Sequence, residues 1–242
     1  MKFTVALVCT LLCSAALADA ELRFDDGSEV LIKDGRVLFG DDDTSIIYPG
    51  SGATMTVVDH ENRQYMLIDE EFAGSISAQM EAAMAEVQAQ LQYLPAEQRA
   101  RMQEMLKQQM PGNKEEASAR EFRLSGKKQE VSGFSCATGD LYKDGEKEVE
   151  MCISTAAELG MSMKDYEALR NAFATMSSLI GQFAQGAEKV FDLEVIGGVP
   201  VMTNNLDNEQ ASRLVWASFE KVDAKRLSVP ASYRQKDPGA GM

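Results

Sequence analysis

Between Glu21 and Asp69 the chain repeats one pattern: a short apolar or β-branched run, then a turn signal. The runs are Val30-Leu31-Ile32, Val37-Leu38-Phe39, Ile46-Ile47-Tyr48, Thr54 to Val58 and Tyr65 to Ile68. Between them stand Asp26-Gly27, Asp34-Gly35, Asp41-Asp42-Asp43, Pro49-Gly50 and Asp59 to Asn62. Asp-Gly pairs tolerate the positive φ of tight hairpins, so this segment predicts an antiparallel meander.

The period then changes. Phe72, Ile76, Met80, Ala83, Met84, Val87, Leu91 and Leu94 recur at three- and four-residue steps, as one face of an amphipathic helix does. Pro95 suits the first turn of a second helix, which Met102, Met105, Leu106 and Met110 continue to a stop at Pro111-Gly112. Residues Asn113 to Ala119 are polar and read as a loop. A second strand block runs from Glu121 to Ser154. Thr155 with Glu158, and Ser162 with Asp165, each place a carboxylate three residues after a hydroxyl, as a capping box does. Behind the second lies an apolar stripe of Met163, Tyr166, Leu169, Phe173, Met176, Leu179, Ile180 and Phe183. Closing strands are expected around Phe191 to Ile196, Val199 to Thr203 and Leu214 to Val222. The order predicts a single α+β domain, its antiparallel sheet burying one face against helices that start near Glu71, Pro95 and Met163.

Ahead of the first strand, Lys2 precedes an apolar run from Phe3 to Leu17, and Ala18-Asp19-Ala20 supplies the small-x-small pattern a signal peptidase cuts. Residues 1–20 therefore read as a cleaved signal peptide, 21–234 as the domain and 235–242 as a disordered tail. The expected address is the periplasm or the extracellular space. Val8 and Leu12, which precede Cys9 and Cys13, are not the small residues a lipoprotein site needs, so an anchored lipoprotein is not expected. The net charge of −14 repels phosphate backbones, which argues against nucleic acid as a partner, and no later apolar run reaches the length of a membrane span.

Cys136 and Cys152 are the only cysteines after the leader. A three-residue hairpin loop of Lys143, Asp144 and Gly145 would pair Tyr142 with Glu146 and bring Cys136 directly opposite Cys152, close enough for a disulfide. Redox or metal roles are disfavoured by the absence of a CxxC pair and of nearby histidine. His60, the only histidine, falls in the turn Asp59-His60-Glu61-Asn62 and reads as solvated rather than catalytic. Asp41-Asp42-Asp43 lacks the alternate spacing of a calcium loop and reads as a turn. No HExxH, nucleotide-binding glycine loop or GxSxG elbow occurs, so no catalytic residue, metal or cofactor is assigned. The helical methionines allow three readings: core filling, a lipophilic groove or Cu(I) ligation. The groove reading names Met80, Met84, Met102, Met105, Phe173 and Met176.

Gln64 to Asp69, Leu94 to Arg99, Gly133 to Cys136, Glu150 to Ile153, Gly198 to Val201 and Val229 to Tyr233 together resemble secreted bacterial proteins of the DUF 4412 type. The element order of that family is similar to that of LolA/LolB-like lipoprotein carriers. The resemblance implies a strongly curved, half-barrel-like antiparallel sheet packed around several amphipathic helices, with an apolar cavity for acyl chains. It brings no catalytic residues. The expectation is a non-enzymatic envelope binding protein that holds a lipid or acyl chain. The alternative is a module that docks another envelope protein; a carboxylate-based hydrolase and a Cu(I) binder rank below.

Overall fold

A computed structural model describes residues 19–95, 97–99, 101–102, 120–183, 193–206, 208 and 210–236. The apolar leader up to Ala18, Met105, Met110, the loop 113–119 and the tail past Lys236 lie outside the described residues.

Twelve strands form one open sheet: β1 (Ala20–Phe24), β2 (Glu29–Lys33), β3 (Arg36–Gly40), β4 (Thr44–Tyr48), β5 (Met55–Asp59), β6 (Gln64–Ile68), β7 (Arg120–Val131), β8 (Phe134–Lys143), β9 (Glu146–Ser154), β10 (Val199–Asn205), β11 (Ala211–Ser218) and β12 (Arg234–Gln235). Their order is β12-β6-β5-β4-β3-β2-β1-β11-β10-β9-β8-β7. Two meanders are thus spliced where β1 pairs antiparallel with β11, and only β12 runs parallel to its neighbour, β6. The helices are α1 (Glu70–Gln92), α2 (Ala156–Leu159), α3 (Met163–Phe183) and α4 (Leu193–Ile196), and the described residues 97–99 and 101–102, where the second helix was expected, are helical as well. The result is α+β, with strands predominating.

Local chemistry sets the helix starts. The Asp69 carboxylate accepts the Phe72 N–H at 2.8 Å, and Glu70 and Glu71 place negative charge at the positive end of α1. Thr155 and Glu158 form the expected reciprocal capping box, and Gly160 ends α2 in the left-handed region at φ 82°. Ser162 Oγ accepts the Asp165 N–H at 3.1 Å and donates to its carboxylate at 2.6 Å, which starts α3.

Three expectations need correction. The segment 193–196 is a helical turn, not a strand: Leu193 and Ile196 are buried on one side, Val195 is exposed, and the Gly197 N–H closes the turn on the Leu193 carbonyl at 3.0 Å. So short an apolar run does not distinguish the two periods. The cysteine hairpin also differs in register. Its loop has two residues, Asp144 (φ 51°) and Gly145 (φ 89°), between the paired Lys143 and Glu146. Both left-handed values belong to a type I′ turn. Leu141 then pairs with Val149 and Tyr142 with Lys147, so Glu148 is an extra residue on β9. Thr138, not Cys136, stands opposite Cys152. The disulfide nevertheless joins Cys136 to Cys152, with Cα atoms 5.4 Å apart, from diagonal positions.

The sheet buries both faces, not the single one expected. On the helix face Ile32, Val37, Tyr48 and Met55 join Leu169, Ala172, Leu179 and the disulfide in one core. Phe39 meets Phe173 of α3 edge-on, with ring centroids 4.9 Å apart. On the opposite face Leu31, Leu38, Ile47 and Val58 pack against Val222 and Leu227 of the chain that follows β11.

Candidate functional site under the C-terminal strap

Residues 222–236 cross the second face of β2 to β6 as a strap, tied down at four places. The Val222 N–H donates to the Asp19 carboxylate at 2.8 Å. A 3-10 turn, Ala224–Leu227, inserts Leu227, fully buried, into the small core, and the Arg36 guanidinium donates to the Leu227 carbonyl. Arg226 bridges Glu21 at 2.9 Å and Glu29 at 2.6 Å. Finally, β12 pairs with β6, and the Lys236 N–H reaches the Tyr65 carbonyl at 2.8 Å. Burial raises the Glu21 carboxyl, but hydrogen bonds and charge from Arg226 and Arg23 outweigh that and hold it below its ordinary 4.5.

Between strap and sheet lies a cavity of about 440 Å³. That volume falls within the roughly 300–1,000 Å³ range of small-molecule pockets. Leu38, Ile47, Val58 and Pro230 give it apolar walls. Ser45, His60 and Tyr233 line the same cavity, as do Lys225, Arg226 and Ser228 from the strap. Glu29, Asp41 and Asp42 complete the rim.

Ser45, His60 and Tyr233 form a chain of hydrogen bonds. Ser45 Oγ lies 2.5 Å from His60 Nε2, and His60 Nδ1 lies 3.2 Å from the Tyr233 hydroxyl. A neutral imidazole donates through one nitrogen and accepts through the other, so both hydroxyl partners are satisfied in either tautomer. Ser45 is buried because its strand position shares a face with Ile47 and stands opposite Val58. The turn holds His60 in place, its N–H donating to the Asp43 carbonyl at 2.9 Å. The imidazole is half-buried and bonded on both nitrogens, which corrects the expectation of a solvated turn residue. The three consecutive aspartates do form a turn: the Asp41 carboxylate accepts the N–H groups of Thr44 and Asp43 at 2.8 and 2.9 Å. Those two bonds hold it below the ordinary carboxylate range.

Of the six residues named for a groove, the four whose side chains are described lie elsewhere. Phe173 and Met176 are half-buried against the helix-face core, Met84 is half-buried on α1, and Met102 is 41% exposed. Met105 and the Met80 side chain lie outside the described residues. None of the four described side chains, Met84, Met102, Phe173 and Met176, lines the cavity under the strap.

Sequence reasoning missed Tyr233 because its partner, His60, is 173 residues away, and missed Ser45 because His60 was read as a solvated turn residue. One signal was present. The runs Val30-Leu31-Ile32, Val37-Leu38-Phe39 and Ile46-Ile47-Tyr48 do not alternate with polar residues, and strands covered on both faces read that way. The second cover had to come from somewhere.

Among the described residues no helix is long and apolar enough to cross a membrane. No protein-family model and no characterised protein of similar sequence matches this chain.

Proposed function

We propose that this is a non-enzymatic binding protein of the cell envelope, holding a small ligand with an apolar portion, of acyl type, beneath the C-terminal strap. The observation that carries the reading is the cavity itself: apolar walls from Leu38, Ile47 and Val58 meet a polar end built by Ser45, His60 and Tyr233. Apolar walls with placed polar groups are the usual elements of a small-molecule site, and here the two are combined in a lining richer in polar than in apolar side chains. The rim carries both signs, Lys225 beside the Glu29, Asp41 and Asp42 carboxylates, and Arg226 is already paired with Glu21 and Glu29. The apolar walls and the hydroxyl–imidazole chain therefore support the reading, rather than a charged anchor. An exported location fits the Cys136–Cys152 bond, since such bonds persist in oxidising compartments.

Titration of untagged protein with a fluorescent fatty acid tests this. Saturable binding is expected, weakened at least tenfold by Ser45→Ala and Tyr233→Ala and unchanged by Met84→Ala and Met176→Ala. Absence of binding, or loss confined to the methionine variants, contradicts the reading.

One observation favours a second reading. A serine hydroxyl within hydrogen-bond reach of an imidazole is the first geometric requirement of an activated nucleophile. The far imidazole nitrogen, however, faces a tyrosine hydroxyl rather than a carboxylate. Turnover of p-nitrophenyl butyrate that vanishes in both Ser45→Ala and His60→Gln would replace the binding reading with a hydrolase.

A further inference from the structure

Two small-x-small triplets overlap at the end of the apolar leader: Ala16-Leu17-Ala18 and Ala18-Asp19-Ala20. Sequence alone leaves both usable. Cleavage after Ala20 starts the chain at Glu21, whereas cleavage after Ala18 starts it at Asp19. The fold distinguishes between these two chains.

Asp19 is 3% exposed. One oxygen, Oδ2, takes a charge-assisted bond from Lys33 Nζ at 2.5 Å and the Val222 N–H at 2.8 Å. Ala20 is fully buried and pairs with Ile32 as the first residue of β1. A chain beginning at Glu21 loses all of this. The Lys33 side chain, only 14% exposed, would be left without that carboxylate, and the first amide of the strap without its acceptor. Removing one partner of a buried pair costs more than the pair itself contributes, because the other group stays desolvated.

We propose that the exported chain is cleaved after Ala18, making Asp19 its first residue and the Asp19 carboxylate the clasp that joins β1 to the strap. The reaction is hydrolysis by the membrane endopeptidase that recognises small-x-small sites. Water adds across the Ala18–Asp19 peptide bond, leaving a carboxylate on Ala18 and a free amine on Asp19. The inference rests on the reading that the chain is exported, and one experiment separates the two.

Full-length chain is expressed in a Gram-negative bacterium, recovered from the envelope fraction, and its first residue is read by N-terminal sequencing and intact mass. A start at Asp19 is the expected result. A start at Glu21 overturns the processing site and leaves export intact; a chain retaining Met1 overturns export as well. Ala16→Gln supplies the control, because it spoils the first triplet and leaves the second whole. It should slow processing or divert it to Glu21, and the diverted chain should melt at a lower temperature than the one starting at Asp19. Unchanged processing in Ala16→Gln, or equal melting of the two chains, would also overturn the inference.

Discussion

The two faces of the same strands are built differently. Facing the helices, β2 to β5 bury Ile32, Val37, Tyr48 and Met55 against α3 in an apolar core that extends to the disulfide. Facing the strap, the same strands contribute Leu31, Leu38, Ile47 and Val58 to a much smaller core, edged by Asp19, Glu21, Glu29 and Arg226. Close-packed apolar layers stabilise and leave little room. A thin layer held by ion pairs and one short stretch of backbone pairing leaves a cavity and opens at lower cost. The helix face holds the fold and the strap face offers the site.

The comparison breaks first on the helix face. Leu169→Ala, at a position 2% exposed, should cost about 2–5 kcal/mol in denaturant unfolding and leave fatty-acid affinity in the folded protein unchanged. Replacing Cys136 and Cys152 together by serine should cost roughly 3 kcal/mol, the entropy of closing a loop of that size, again without touching affinity. An affinity change with either variant would mean the two faces are not separable.

On the strap face smaller losses are expected, with larger functional effects. Arg226→Met should cost about 1 kcal/mol, because the guanidinium is 37% exposed and water screens its pairs. Its effect should depend on pH in a defined direction. Glu21 is held below its ordinary 4.5, so its contribution is fully present above that value and fades as pH falls through the lowered one. The melting-temperature gap between wild type and Arg226→Met should therefore narrow on going from pH 6.5 to pH 3.5. Ser45→Ala should move stability by a similarly small amount, about 0.5–1.5 kcal/mol for one hydrogen bond, yet weaken binding.

How far the sequence went follows the same division. Asp34-Gly35, the Thr155–Glu158 box and the Tyr166 to Phe183 stripe each specify structure within a few residues, and the helix face was legible from them. The disulfide was legible as a pair, though not in register, because the extra Glu148 leaves no mark in the spacing. The candidate site was not legible. His60 meets Tyr233 across 173 residues, and Arg226 meets Glu21 across 205, contacts that no local period encodes. The methionines drew attention because they repeat at helical steps, which marks a packed face as readily as a groove.

His60 is the only histidine in the chain and sits in the cavity wall, so its imidazole reports on that cavity alone. The most direct test of the central claim is the ¹⁵N-histidine NMR spectrum of untagged protein during titration with a fatty acid. The imidazole signals should move saturably, with the same dissociation constant as bulk binding, and the shift should be lost in Tyr233→Ala. A fatty acid that binds with His60 unmoved, or none binding at all, would contradict a ligand site beneath the strap.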